Sequence, residues 1–382
     1  MECILTVQLK QNDYSSFNSY FAPKIRMMNF FEKETKTALQ AKEDAQWIAF
    51  APFVFQTAKV LRDTGILTIV EGSRNEGYTL EEVVEKSKLP LYGVRVLLEG
   101  GLGIGLLLLK DGKFTISKTG FFVLNDGLTK ANMDFSHDVC YKGLFDLDKS
   151  IETGKPEGLK VFGSWKTIYE ALSKLPEPVQ KSWFKFDHYY SDDAFPAVLP
   201  LVFKDKPKRL LDIGGNTGKF AIQCVQFDPD VHVTIMDLPG QLEMAKANIE
   251  KLGLSERISF HENNVLDETK KFPKGFDAIW MSQFLDCFSD AEIISILKRA
   301  DEAIDSNGRV YILEPFWDRQ RFRASAFSLQ MTSIYFTAMA NGNSQMYYSE
   351  TFLKLIEKAG LKVEEETNQV GVCHTLVKCA KK

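Results

Sequence analysis

The chain reads as an α/β protein, with a Rossmann-like, mostly parallel sheet in its C-terminal half and a smaller, mostly helical unit before it. Three observations predict this. The segment 209–220, RLLDIGGNTGKF, runs from a short apolar strand (Leu210, Leu211, Ile213) through a turn holding Gly214, Gly215 and Gly218 into residues with helical character. A second apolar run, VHVTIMDLP, ends in Asp237, 19 residues beyond Gly218. Strand and helix signals then alternate onward, the pattern of β-α-β units that bind ligands at strand C-termini.

The glycine turn and Asp237 together describe a site for a nucleoside-like cofactor. Glycines let a bound group approach the backbone, and the free N–H groups of the following helix face it. An acid at the tip of the second strand suits the two hydroxyls of a ribose. Asp212, at the end of the first strand, would repel a pyrophosphate but suits a positively charged ligand with an amino group. That separates the D-x-G-G-N-T-G loop from a G-x-G-x-x-G dinucleotide turn.

With 382 residues, 45% hydrophobic and 26% charged, the chain has enough material for about two domains and a sizeable core. A formal net charge of −4 and the lack of a Lys/Arg block argue against a nucleic acid or an anionic membrane as partner. Cys3, Cys140, Cys224, Cys287, Cys373 and Cys379 show no CxxC or metal-ligand spacing, which predicts a reducing, cytoplasmic setting and no metal. The opening MECILTVQLKQNDYSS lacks the basic end and apolar stretch of a signal peptide, and no stretch is long enough to span a membrane.

Residues 1–125 form the first expected unit. Within it, 47–61 is apolar densely enough to predict a helix buried nearly all round, in a domain core or a subunit interface. Thr79 and Glu82 form a capping box that opens a short helix, stopped at Leu89-Pro90, and 92–98 gives a second. Asp111-Gly112 between LGIGLLLL and KFTIS predicts a hairpin, so the unit reads as a winged helix. A helix that read DNA would offer polar and basic side chains to base edges, whereas this one offers Arg95 and little else. The GGLGIG run at 100–105 follows a helix and reads as a turn into the hairpin.

Residues 126–195 read as an aromatic-rich helical linker beside the cleft, ending in Trp183, Phe184, Phe186, His188, Tyr189 and Tyr190. Residues 196–382 hold the sheet. QLEMAKANIEKLG is a helix, RISFHENNV a strand with Asn263, Asn264 and Val265 at its tip, and FDAIWMSQFLDCF another strand. Ser289 and Glu292 cap the next helix, Asn307-Gly308 turns into RVYILEPF, and a helix at 352–359 precedes LKVEEET and CHTLVKCA, a terminal antiparallel hairpin.

From about residue 30 onward the chain resembles the small-molecule O-methyltransferases of plants and bacteria, the S-adenosylmethionine (SAM)-dependent family of caffeate, acetylserotonin, hydroxyneurosporene and polyketide methyltransferases. The resemblance rests on the N-terminal unit, on LLDIGGNTGKF with MDLP after it, and on WMSQFLDCFSDAEIISIL. It implies a class I methyltransferase sheet, an N-terminal domain that forms a homodimer rather than reading DNA, SAM as cofactor with S-adenosylhomocysteine as product, and a small-molecule acceptor. It also implies roles residue by residue. Asp212, Gly214, Gly215 and Gly218 would surround the methionine moiety, Asp237 and Leu238 the ribose, and Asn264 and Val265 the adenine, with Ser282 at a strand tip nearby.

The catalytic positions depart from the family pattern. Where the family reads L-H-D-W, this chain has Leu285, Asp286, Cys287 and Phe288, so Asp286 replaces the histidine base. Glu314 stands where an acid orients that histidine, and a second acid falls at Met346. A phenol with a pKa of about 10 is better matched by an imidazole near about 6.5 than by a carboxylate near about 4. Three readings stay open: Asp286 tuned upward by burial and Glu314, His188 acting instead, or an acceptor that needs no strong base, such as an acidic hydroxyl or an activated ring carbon. The last would admit C-methylation or non-methylating chemistry. The expected acceptor pocket comprises Phe186, His188, Tyr189, Phe284, Phe288, Trp317, Phe327, Met331, Tyr335, Met339 and Met346, an apolar and aromatic lining that favours an aryl, polyene or polyketide-like acceptor. From a different class, a SAM-sensing winged-helix DNA-binding regulator is the alternative.

Overall fold

The computed structural model describes residues 30–191 and 193–382; Cys3 and the opening stretch read for a leader lie outside the described residues. Five helices come first: α1 (Ala38–Ala49), α2 (Ala51–Asp63), α3 (Ile66–Gly72), α4 (Leu80–Ser87) and α5 (Leu91–Gly103). A hairpin of β1 (Leu107–Lys110) and β2 (Lys113–Ile116) follows. Local chemistry sets these boundaries. Thr79 N–H donates to the Glu82 carboxylate at 2.7 Å and Glu82 N–H to the Thr79 hydroxyl at 3.3 Å, the reciprocal cap that starts α4. Asp111 and Gly112 both have positive φ, 51° and 74°, as the two-residue turn requires. Leu61, Leu67, Val70, Val83, Val94 and Leu98 form the core of this unit.

Two expectations change here. Segment 47–61 is two helices rather than one, interrupted at Phe50 because Pro52 has no N–H with which to continue the first. Its apolar side chains are not enclosed within the single chain: Trp47, Ile48, Phe50 and Phe53 are exposed. The glycines at 100–103 belong to α5 instead of a turn, and a Cβ on Gly101 would come within 2.8 Å of Leu107, so glycine lets the hairpin close onto the helix.

Helices α6 (Lys118–Asn125), α7 (Gly127–Phe135), α8 (Leu147–Thr153), α9 (Ile168–Ala171), α10 (Glu177–Ser191) and α11 (Ala194–Val202) lead to the sheet. There β3 (Arg209–Ile213), α12 (Lys219–Phe227), β4 (His232–Asp237), α13 (Pro239–Lys251), β5 (Ile258–Glu262) and β6 (Phe276–Ser282) alternate. The chain finishes with α14 (Asp290–Ala303), β7 (Ile304–Glu314), α15 (Arg323–Tyr335), α16 (Ser349–Lys358), β8 (Leu361–Val370) and β9 (His374–Lys381). The strand order is β5-β4-β3-β6-β7-β9-β8, parallel as far as β7, with β9 and β8 antiparallel. Asn307-Gly308 does not turn. It lies inside β7, where a Cβ on Gly308 would come within 2.9 Å of the Asp277 carbonyl, and the pairing with β6 shifts register between Phe276 and Ala278.

One face of the sheet packs on α11, α12 and α13, with Phe220 stacked on Trp280 at 4.0 Å. The other packs on α14 and α16 through Ile296, Leu297, Phe352 and Ile356. A third apolar cluster joins α7, α10 and α15, with Phe135 stacked on Phe186 at 3.9 Å. Among the described residues no helix is long and apolar enough to cross a membrane.

Phe352 is fully buried, its ring 5.2 Å from Phe316 and 5.4 Å from Tyr347. Phe352→Ala is expected to cost about 3–5 kcal/mol of unfolding free energy, read from urea denaturation.

Candidate functional site

The strand order reverses between β3 and β6, and the crevice at their C-terminal ends is the favoured ligand position in such sheets. A cavity of 370 Å³ opens there, walled by the tips of β3 to β6 and by α10 and α15. A smaller recess of 80 Å³ shares Asp187, Gly214, Asn216 and Gln283 with it.

The turn after β3 is shaped by what it must avoid. Gly214 has φ 76°, and a Cβ there would lie 2.2 Å from the ring of Phe284 on the neighbouring turn, so only glycine lets the two approach. Asn216, also at positive φ, donates its N–H to Asp237 Oδ2 at 2.9 Å. Leu238 N–H donates to Asp237 Oδ1 at 2.7 Å, so main-chain bonds hold both carboxylate oxygens. Burial still raises the Asp237 pKa against these bonds.

Asp212 is buried, and its Oδ2 has no partner. Burial first, and then the charge of Asp237, push its carboxyl up to about 8. Buried atoms of Asn216, Asn263, Ser282 and Gln283 also lack partners. Buried polar groups are normally satisfied, so this arc of donors and acceptors describes a cradle for a polar ligand.

A second constellation lies at the turn after β6, which starts with Gln283 at φ 47°. Glu314, at the end of β7 and 1% exposed, accepts N–H bonds from Phe284 (3.0 Å) and Leu285 (2.8 Å) on one oxygen. The turn so held presents Asp286, which lines the cavity although only 4% exposed. Burial raises Asp286 to about 7; the Cys287 thiol donates to it at 3.4 Å and opposes the rise, and the nearby Asp187 charge adds to it. Glu314 is raised well above the usual carboxylate range by burial and by Asp286.

The residues singled out in the sequence fall into distinct places. Gly214, Asp237, Leu238, Asn264, Val265, Phe186, Phe284, Phe288, Asp286, Tyr335 and Met346 line the cavity. Asp212, Gly215, Ser282 and His188 line the smaller recess, so His188 does not share the cavity that Asp286 faces. Gly218 lines neither; at φ 80° it turns the chain into α12. Glu314 lies behind the cavity wall.

Tyr189, Trp317, Phe327, Met331 and Met339 lie outside the lining, for reasons of register and packing. On α10 the inward face is Trp183, Phe186, Asp187 and Tyr190, which leaves Tyr189 exposed. On α15 the inward residues are Leu329, Thr332 and Tyr335, followed by Phe336, while Phe327 and Met331 are exposed. Trp317 packs on Phe31 and Tyr348, and Met339 is core. Residues not anticipated also contribute: Thr167, Tyr169 and Leu172 around α9, Gln283, Asn341 and Asn343. Asn341 Nδ2 donates to the Cys287 carbonyl at 2.5 Å, pinning the far side of the Asp286 turn.

Residues 194–362 match the O-methyltransferase domain family and residues 42–114 the Dimerisation2-like domain. A relative, L-tyrosine C(3)-methyltransferase of Streptomyces lavendulae, is 24% identical over 326 residues, 84% of this chain and 87% of its own. The crystal structure of the S-adenosylmethionine-dependent methyltransferase SibL superimposes with a TM-score of 0.68 at 24% identity, over 88% of this chain and 98% of that one. An O-methyltransferase from neocarzinostatin biosynthesis, solved with SAM and 2-hydroxy-5-methyl naphthoic acid, gives 0.62 at 19% identity, over 85% and 96%. The fold is therefore the α/β class I methyltransferase fold with an N-terminal helical domain.

The elevated pKa of Asp212 makes a stability prediction. Its carboxyl ionises near about pH 4 in an unfolded chain but only near 8 when buried, so it favours the folded state below pH 4 and that contribution is lost as pH rises to 8. Asp212→Asn should stabilise the ligand-free protein by about 1–3 kcal/mol at pH 8 and by nothing at pH 4 in parallel denaturant titrations.

Proposed function

We propose that the chain is a SAM-dependent O-methyltransferase that methylates a small aromatic or conjugated metabolite, at oxygen, with Asp286 as the base. One observation carries this reading: the partnerless polar cradle around Asp212 and the aromatic cavity holding Asp286 meet across the Gly214–Phe284 approach. The cradle fits SAM in kind, offering carboxylates toward cationic and hydroxyl groups and neutral amides beside them. When bound, SAM supplies an electrophilic methyl group on a sulfonium.

The chain's own residues do the rest. Asp237 accepts hydrogen bonds from ribose hydroxyls, with Leu238 alongside, and Asp212 and Ser282 face the amino acid end near the glycine turn. Asn264 and Val265 border the adenine; Asn264 Oδ1 already accepts Leu266 N–H at 3.0 Å and keeps a second lone pair for a ligand. Phe186, Phe284, Phe288, Tyr335 and Met346 orient the acceptor and exclude water, and such positioning supplies much of the rate in an in-line displacement. Asp286 accepts the acceptor's hydroxyl proton, a task suited to a carboxylate whose pKa burial has lifted toward neutrality. Glu314 positions Asp286 by holding its turn. His188, in the cofactor recess, has no share in the base role.

Transfer to carbon is a second reading, favoured by the L-tyrosine C(3)-methyltransferase among the relatives. Attack by a ring carbon ortho to a phenol leaves a ring proton that Asp286 would accept. Mass spectrometry with proton NMR of the product separates an O-methyl from a ring methyl. We also infer a cytoplasmic homodimer joined through the exposed apolar residues of α1 and α2.

Calorimetry should show SAM and S-adenosylhomocysteine binding to the wild type and lost in Asp237→Ala; binding to neither protein would sink the methyltransferase reading. Asp286→Asn should retain cofactor binding and lower kcat by about 100-fold or more. Because Asp286 must be ionised to accept a proton, kcat in the wild type should rise with pH through about 7, and Asn should abolish that rise. Tyr169, Asp187, Cys287, Glu314, Tyr347 and Cys373 are titratable neighbours of Asp286. Ile48→Asp with Phe53→Asp should halve the mass seen by sedimentation while leaving cofactor affinity intact.

A further inference from the structure

We propose that the acceptor is a phenol whose ring is conjugated with a carbonyl group, and that the hydroxyls of Tyr169 and Tyr335 both donate to that carbonyl oxygen. The inference rests on the cavity being the acceptor site and names the class of molecule that enters it. Tyr169, on α9, and Tyr335, at the end of α15, reach the cavity from two separate elements. The Tyr169 hydroxyl oxygen is buried and makes no hydrogen bond. The Cys287 thiol, whose charge bears on it, is a weak acceptor and donates its own proton to Asp286 at 3.4 Å. The Tyr335 hydroxyl accepts Trp183 Nε1–H at 2.8 Å, which fixes its oxygen but leaves its proton without an acceptor among the described residues.

Burial, before any other cause, raises both phenols well above their ordinary pKa, so both keep their protons and act as donors. Two donor protons in an aromatic wall call for one oxygen with two lone pairs and no proton of its own, which describes a carbonyl. Other polar groups brought by α15 and the segment after it are already engaged. Thr332 donates its hydroxyl to the Ser328 carbonyl at 2.9 Å, and Asn341 donates to the Cys287 carbonyl while accepting from the Ser344 hydroxyl at 2.8 Å. An acceptor lacking the carbonyl would strip water from both tyrosine hydroxyls and leave buried donors unsatisfied.

The same contact serves the proton transfer. Asp286, raised to about 7, is a poor match for an ordinary phenol at about 10. A conjugated carbonyl takes up charge from the phenolate, and two hydrogen bonds at its oxygen stabilise that charge where it collects, so the acceptor's pKa falls toward that of Asp286. The charge of Asp286 is felt at Tyr169, as it should be if one ring system spans the base and the donors.

The test uses the full-length protein saturated with S-adenosylhomocysteine, whose binding is first measured on its own, so that failure of the methyltransferase reading is recognised separately. The probes are 2- and 4-hydroxyacetophenone, the ethylphenols of the same substitution, and the matching (trifluoromethyl)phenols, which are acidified like the ketones but carry no carbonyl. In calorimetric titrations one of the ketones should bind about 10-fold or more tightly than both of its counterparts. Tyr169→Phe should remove most of that advantage and leave ethylphenol affinity unchanged, whereas a tyrosine that only packs the wall would alter all three ligands alike. A ketone no tighter than its ethylphenol, a (trifluoromethyl)phenol that equals it, or no binding of any phenol to the saturated protein would each overturn the proposal on the wild type alone. A ketone preference that survives Tyr169→Phe would overturn it as well.

Discussion

Two main-chain N–H groups, those of Phe284 and Leu285, turn inward just beyond the end of β6, and a single oxygen of Glu314 accepts both. Buried donors without partners would cost about 1–3 kcal/mol each, so the turn could not adopt this path without an acceptor from the next strand. The bond pair thereby couples β7 to the shape of the 283–288 segment. Everything chemical in the cavity's floor follows from it: Phe284 over Gly214, Asp286 exposed to the cavity, and Phe288 beside them. This scaffold does not depend on the side chain at 286, because the carboxylate of Glu314 grips the backbone N–H groups of Phe284 and Leu285.

The burial that makes this clamp strong also sets the electrostatics. Asp212, Asp237, Asp286 and Glu314 all stand above their ordinary pKa values for the same first cause, removal from water. The crevice thus gathers acids that hold their protons more tightly than exposed carboxylates would. Ligands carrying positive charge relieve that condition, so one physical source sets both the crevice's preference for cations and the lifted basicity of Asp286.

Much of this was legible in the sequence, and the exceptions share a cause. The β3 loop, Asp237, the hairpin at Asp111-Gly112 and the caps at Thr79 and Ser289 are local patterns whose meaning does not depend on distant residues. Side-chain type points to Tyr189, Phe327 and Met331, but which face of a helix turns inward is fixed by packing several elements away, and there Tyr190, Leu329 and Thr332 face the cavity instead. Tyr169 and Asn341 come from irregular segments with no periodic signal. The apolar run at 47–61 reads as buried because its composition demands cover, yet a single chain does not supply it. Glu314 was legible as an acid near the site, whereas its grip on two backbone N–H groups belongs to tertiary structure alone.

The position of β9 has a consequence for synthesis. It follows β8 in the chain but sits between β7 and β8, pairing Glu314 with Thr375 along the way. A chain emerging from the ribosome therefore exposes the outer edge of β7, a bare row of backbone donors and acceptors beside the crevice, until both later strands have been made. If β8 docked onto that edge first, it would have to be displaced before β9 could enter. Cotranslational folding of this sheet is thus a race in which the innermost seat must be held open for the latecomer, and a chaperone that shields an unpaired strand edge would act at this step.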